Sequence, residues 1–270
     1  MVVGDTDGVV LETLVTGAGD PVTVFAHGLA GGIADTRPLG SNVTGRRVFF
    51  QFRGHGESRG QDDSVPPPET WTYEHLATDL STVANAHAAS RALGVSLGAG
   101  ALCRLLTVTP DRFERLVFFL PAVLDEPRPA ASRTRLAALI RAVTSGDRDA
   151  VAAEVAREIP EELRGTAEAR AYAVTRTRNL LASGLSTGLA DLPDATAVTD
   201  RASLTAVTAP ALVLGCRGDV LHPVGVAERL AESLPTATLH VYDEPYPMWR
   251  QRGDVRRRVS EFLNGERPNR

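Results

Sequence analysis

Residues 94–98 read Gly94-Val95-Ser96-Leu97-Gly98, a serine flanked at both second neighbours by glycine. That spacing suits a turn so tight that side chains at the glycine positions would clash. The serine then sits in strained backbone with its hydroxyl raised clear of the chain. Such a hydroxyl can attack a carbonyl carbon if a base takes its proton, and the oxyanion that forms needs donors close by. The amide of Leu97 is one candidate donor, since it opens the following helix, whose N-terminus favours negative charge. The stretch HGLAGG (27–32) supplies another. Its small residues let the backbone approach a ligand, and the amide of Leu29 is the second candidate for the oxyanion hole.

These groups need a scaffold, and the flanking sequence describes one. GVVLETLVTG (8–17) alternates like a strand, while PVTVFAHG (21–28) and RRVFFQFRG (46–54) are compact apolar runs ending at glycine. SRALGVS (90–96), RLVFFL (115–120), PALVLGC (210–216) and TATLHVY (236–242) read as further strands. Helical spacing marks 72–86, 97–110, 223–234 and 254–263, the second of these stopped by Pro110. Alternating strands and helices imply α/β architecture, a doubly wound, mostly parallel sheet of about seven or eight strands, with ligands at the strands' carboxyl ends. The stretch 125–205 breaks the rhythm. It is rich in Ala and Arg and contains no good strand, so it is expected to be a helical cap inserted into a core made of 1–124 and 206–270. Leu136, Leu139, Ile140 and Tyr172 are its candidates for lining a cavity, with packing among the helices as the alternative role for each.

Four motifs in order, HGLAGG, FRGHGES (52–58), GVSLGAG (94–100) and LGCRGDVLHP (214–223), make the chain resemble the α/β-hydrolase superfamily. The likeness is to its cap-bearing branch of esterases, lipases and cofactor-free haloperoxidase-like enzymes, and runs from about residue 20 to 263. It implies that Ser96 is the nucleophile and that Asp219 orients the catalytic histidine. It implies a packing role for His55, and a bracing one is expected of His27. At position 51, where the family usually has Asp, this chain has Gln51.

The resemblance also implies a histidine in the loop after the last strand, and none is there. Aligning the final helix puts Pro247 in its slot, and no histidine follows His240. Of the six histidines, His75 and His87 flank a surface helix and His240 lies within a strand. His222 alone falls on a loop at the correct end of the sheet and near the acid, so it is the candidate base. Asp219 and His222 are three apart on one loop, which leaves open whether the carboxylate can orient a ring that also reaches Ser96. Asp125 is the alternative acid. Losing the base from such a triad costs on the order of a millionfold in turnover. The reading is therefore a serine hydrolase acting on a small, largely apolar ester, lactone or amide. The alternative is a non-hydrolytic member, a cofactor-free lyase or cyclase or a small-molecule binder.

Composition excludes other classes. The 270 residues carry a net charge of −4, and all 29 basic residues are arginine. No basic field exists to hold nucleic acid. No apolar run reaches the roughly 18 residues a membrane span needs. The opening MVVGDTDGVV has neither a basic start nor a long apolar run, so no signal peptide is expected. Cys103 and Cys216 lie in apolar stretches and read as buried free thiols, which suits a reducing, cytoplasmic setting. No metal-ligand spacing occurs, and no cofactor is expected. Oligomeric state stays open.

Overall fold

Consecutive residues in the central strands go to opposite sides. Val24, Phe50, Ala92, Phe118 and Val213 join one buried cluster, and their neighbours Phe25, Phe49, Leu93, Val117 and Leu212 join another. A strand alternates its side chains between two faces, so both faces of this sheet are covered. The computed structural model describes residues 2–182 and 194–265. Its strands are β1 (Val2–Thr6), β2 (Val9–Thr16), β3 (Val22–Ala26), β4 (Arg46–Phe50), β5 (Arg59–Gly60), β6 (Arg91–Val95), β7 (Arg115–Phe119), β8 (Ala211–Cys216) and β9 (Ala237–Tyr242). They run in the order β1-β2-β4-β3-β6-β7-β8-β9, with β5 paired to β2. The neighbours β4-β3-β6-β7-β8-β9 pair parallel, and β2 joins β4 and β5 antiparallel.

The helices are α1 (Ile33–Thr36), α2 (Tyr73–Ala86), α3 (Leu97–Val108), α4 (Ala130–Ser145), α5 (Arg148–Ala156), α6 (Ala167–Ala182), α7 (Val224–Ser233), α8 (Pro247–Arg250) and α9 (Arg252–Asn264). Leu80 of α2, Leu102 of α3 and Leu230 of α7 pack in the first cluster, and Val255, Val259 and Leu263 of α9 in the second. The chain is thus the doubly wound α/β sheet expected. The Thr72 hydroxyl caps α2 by accepting from the His75 amide. Helix α3 ends at Val108, because the ring of Pro110 drives the residue before it out of helical geometry.

Two features position the site. From β3 the chain passes first to β4 on one side and later to β6 on the other, so the crevice beyond β3 and β6 is the switch point where such sheets bind ligands. In register, Ala26 of β3 faces Gly94 of β6, which sets the loop after Ala26 beside the turn at Ser96. Between β7 and β8, the described residues form α4, α5 and α6 and no strand. Residues 183–193 of the expected insertion lie outside the described residues. The edge strand β1 and the two-residue β5 are additions to the sequence reading.

Candidate active site

Ser96 connects β6 to α3 with φ 51° and ψ −106°, left-handed backbone in a residue other than glycine. Its neighbours hold it there. Its N–H donates to Phe119 O at 3.0 Å, and its carbonyl accepts from Gly100 N at 3.1 Å. The two flanking glycines are required by space. A Cβ at Gly94 would stand 2.5 Å from Gly98 O, and one at Gly98 would stand 2.5 Å from Ala26 O. Both obstacles are backbone and cannot swing aside.

The loop 27–32 lies against this turn. A Cβ on Gly28 would be 3.3 Å from Ser96 Cβ. Leu29 and Leu97 both line the cavity at Ser96. Neither amide donates to another group among the described residues. Two buried histidines brace the loop. His27 Nε2 accepts from Phe52 N at 2.9 Å, which places its proton on Nδ1, facing Gly28 O at 2.7 Å. His55 Nε2 accepts from Ala30 N at 3.0 Å, and its Nδ1 donates to Arg53 O at 3.1 Å. Burial favours the neutral ring in both, driving His27 well below the usual range and His55 down to about 4. Gln51, in the position of the family's Asp, fills the space between Gly32 and Gly56.

After β8 the chain forms a compact turn around one carboxylate. Asp219 Oδ1 accepts from Leu221 N at 2.9 Å and from His222 N at 3.1 Å. Its Oδ2 lies 2.9 Å from His222 Nδ1. The other ring nitrogen, Nε2, lies 3.0 Å from Ser96 Oγ. Burial alone would raise the Asp219 carboxyl, but the His222 ring and the two amides outweigh it and hold the group below the usual carboxylate range. Asp125 stands apart from this group, with Oδ2 3.9 Å from Arg201 Nε and no place in the cavity wall. His240 packs its ring against Tyr242 at 4.6 Å, away from the cavity. Pro247 is buried in the cavity wall at the start of α8, behind Tyr246 at φ 65°.

The cavity has a volume of about 530 Å³. Leu136, Leu139 and Tyr172 face it from α4 and α6, whereas Ile140 packs with the core. Sequence reading missed the charged groups of this wall. Glu158 accepts from Tyr172 OH at 2.5 Å and from Arg176 Nε at 3.1 Å. Asp35 faces the same space, its carboxyl raised by burial despite the pull of Arg176. Asp35 follows HGLAGG by three residues, and that proximity was the one available signal. The arginines of α4 and α6 carried none, in a chain where arginine is everywhere on the surface.

Cys103 and Cys216 are both buried free thiols. Burial pushes both thiols up, Cys216 to about 12. No three His, Cys, Asp or Glu side chains gather as a metal site would need, and no helix is long and apolar enough to cross a membrane, among the described residues.

A family model described as serine aminopeptidase, S33 matches residues 17–246. No curated protein matches the chain. Among solved structures, the chain is similar to the esterase EaEST from Exiguobacterium antarcticum, at 18% identity and a TM-score of 0.75, covering 97% of this chain and 98% of that one. It is similar to the serine hydrolase CCSP0084 from the polyaromatic-hydrocarbon-degrading bacterium Cycloclasticus zankles, at 17% identity and a TM-score of 0.80, covering 98% of each chain. A hydrolase from Pseudomonas aeruginosa PA01 is similar at 22% identity and a TM-score of 0.73, covering 97% of each chain.

Proposed function

The chain belongs to the serine aminopeptidase S33 family of α/β-hydrolases, and on that premise we propose that it is a serine hydrolase cleaving a small ester, lactone or amide. The observation that carries this reading is the 3.0 Å separation of His222 Nε2 and Ser96 Oγ. An ionised Asp219 can only accept a hydrogen bond, so His222 carries its proton on Nδ1. Its Nε2 then offers a lone pair to the serine hydroxyl, as a general base must.

The reaction follows from that arrangement. Ser96 Oγ attacks the carbonyl carbon as His222 takes its proton, and Asp219 stabilises the imidazolium that results. The amides of Leu29 and Leu97 hold the oxyanion. His222 returns the proton to the leaving group, and a water deprotonated by the same ring then releases the acid from Ser96. Helices α4 and α6 serve as the cap, lying over the cavity at Ser96 to keep bulk water from the acyl-enzyme.

The non-hydrolytic alternative rested on Pro247 standing where the family has histidine. With His222 beside Ser96, no observation favours it. The test is a fluorophosphonate probe, which modifies an activated serine. Labelling of the wild-type protein that is lost in both Ser96→Ala and His222→Ala supports the proposal. A folded wild-type protein that takes no label and turns over no p-nitrophenyl ester would sink it.

A further inference from the structure

Five arginines reach the cavity wall, and four have a carboxylate partner. Arg135 and Arg157 share Glu154, Arg176 holds Glu158 at 3.1 Å and Arg252 holds Glu168 at 2.6 Å. Arg128 is the fifth. It is only 7% exposed, yet no carboxylate comes within ion-pairing distance of it among the described residues. Of the other carboxylates of the wall, Asp219 faces His222 and Asp35 interacts with Arg176 and Glu158.

The guanidinium is only partly satisfied. Nη1 donates to Ala122 O at 3.1 Å. Nε is buried with no acceptor among the described residues. The Tyr73 hydroxyl, also buried, is the side-chain group that lies beside the Arg128 guanidinium, and it carries no charge to balance it. A buried charge without a counter-charge is costly, and proteins avoid it by pairing. This chain has 33 acidic residues against 29 arginines, so carboxylates are not scarce.

We infer that Arg128 anchors a carboxylate carried by the substrate, so that the compound cleaved at Ser96 is an anionic ester, lactone or amide. The inference rests on the serine hydrolase reading and names its substrate class. Position supports it. Ala122 lies three residues beyond β7, whose last residue accepts the Ser96 amide. Tyr73 packs against Gly100, one turn into α3 from Ser96, where a Cβ would stand 2.4 Å from its ring. Arg128 and Ser96 both line the same cavity of about 530 Å³, so a single small ligand there meets both. Planar guanidinium suits such a group, because two parallel N–H bonds fit one carboxylate.

The experiment compares p-nitrophenyl valerate with mono-p-nitrophenyl glutarate, which share a five-carbon acyl chain and differ in the terminal carboxylate. The wild-type protein is expected to favour the glutarate in kcat/KM by about tenfold or more. In Arg128→Met that preference ratio falls by on the order of 10- to 100-fold, and Arg128→Lys keeps part of it. A purely structural role for Arg128 would lower both rates together and leave the ratio alone, which overturns the inference. So does a wild-type protein that prefers the valerate, whether or not Arg128→Met folds. Calorimetry of free glutarate with the Ser96→Ala protein separates the two claims. Glutarate bound there and lost in Ser96→Ala/Arg128→Met, with neither ester turned over, leaves the anchor standing and removes the hydrolase. Valerate hydrolysed without any carboxylate preference does the reverse.

Discussion

Asp219 and His222 are joined twice over three residues of chain, backbone amide to Oδ1 at 3.1 Å and ring Nδ1 to Oδ2 at 2.9 Å. One carboxylate thus shapes the turn with one oxygen and orients the ring with the other. Three residues of spacing suffice to set ring against carboxylate because the turn folds the histidine back over the aspartate. The loop after β9 carries no histidine and holds Pro247 at the start of α8.

Asp219→Asn tests that division of labour. The amide oxygen can still accept from Leu221 and His222, so the turn and the urea unfolding midpoint are expected to change little. The amide nitrogen would face His222 Nδ1 and force the proton onto Nε2, the wrong side for Ser96. Turnover is expected to fall by about 10⁴-fold. A loss under about tenfold would mean that Asp219 only shapes the loop.

Strain at Ser96 can be measured separately from chemistry. Ser96→Ala and Ser96→Gly both delete the hydroxyl and its contact with His222, and both should be inactive. They differ in backbone preference, since only glycine adopts φ 51° and ψ −106° without penalty. Relief of strain exceeds the entropy that glycine costs in the unfolded chain, so Ser96→Gly is expected to be the more stable by about 1 kcal/mol. Equal unfolding free energies in urea would show the turn to be relaxed.

The strands and the tight turn were legible because their causes are local. Buried parallel strands are short apolar runs, and Gly94 and Gly98 are forced by backbone contacts that belong to the turn itself. β1 was not legible, since its five residues VVGDT carry too weak an alternation and gain their place by pairing with β2. The geometry at His222 was hidden for another reason. It depends on how Asp219 divides its two oxygens, which residue spacing does not encode. Arg128 was hidden because what sets it apart from the other arginines of the cavity wall, the lack of a carboxylate partner among the described residues, exists only in three dimensions.

The two bracing histidines make stability depend on pH. Burial lowers both, His55 to about 4 against the ordinary 6.5. Between those values the unfolded chain binds protons that the folded chain refuses. Stability is therefore full above about pH 6.5 and falls as pH drops towards 4, by about 1.4 kcal/mol per pH unit from His55 alone. His55→Gln keeps an acceptor for the Ala30 amide and cannot titrate. Its unfolding free energy, followed in urea from about pH 7 to about pH 5, should fall less steeply than the wild type's by about that slope. Parallel curves would assign the acid sensitivity elsewhere.

Pro247 offers a way to ask whether the site can accept a histidine from the other loop. It lines the same cavity as Ser96 and Asp219, and Pro245 of its loop stands 3.4 Å from where a Cβ on Gly218 would be, so the two loops are packed together. In His222→Ala the backbone amides at 221 and 222 still hold Asp219 Oδ1, which leaves Oδ2 free for a new ring. The double variant His222→Ala/Pro247→His is therefore expected to exceed His222→Ala in kcat by about tenfold or more, while staying well below the wild type. The gain should require the aspartate, and Asp219→Ala added to the double variant should erase it. A double variant no faster than His222→Ala would mean that α8 holds position 247 too rigidly, or aims it too poorly, to bring an imidazole within hydrogen-bonding reach of Ser96.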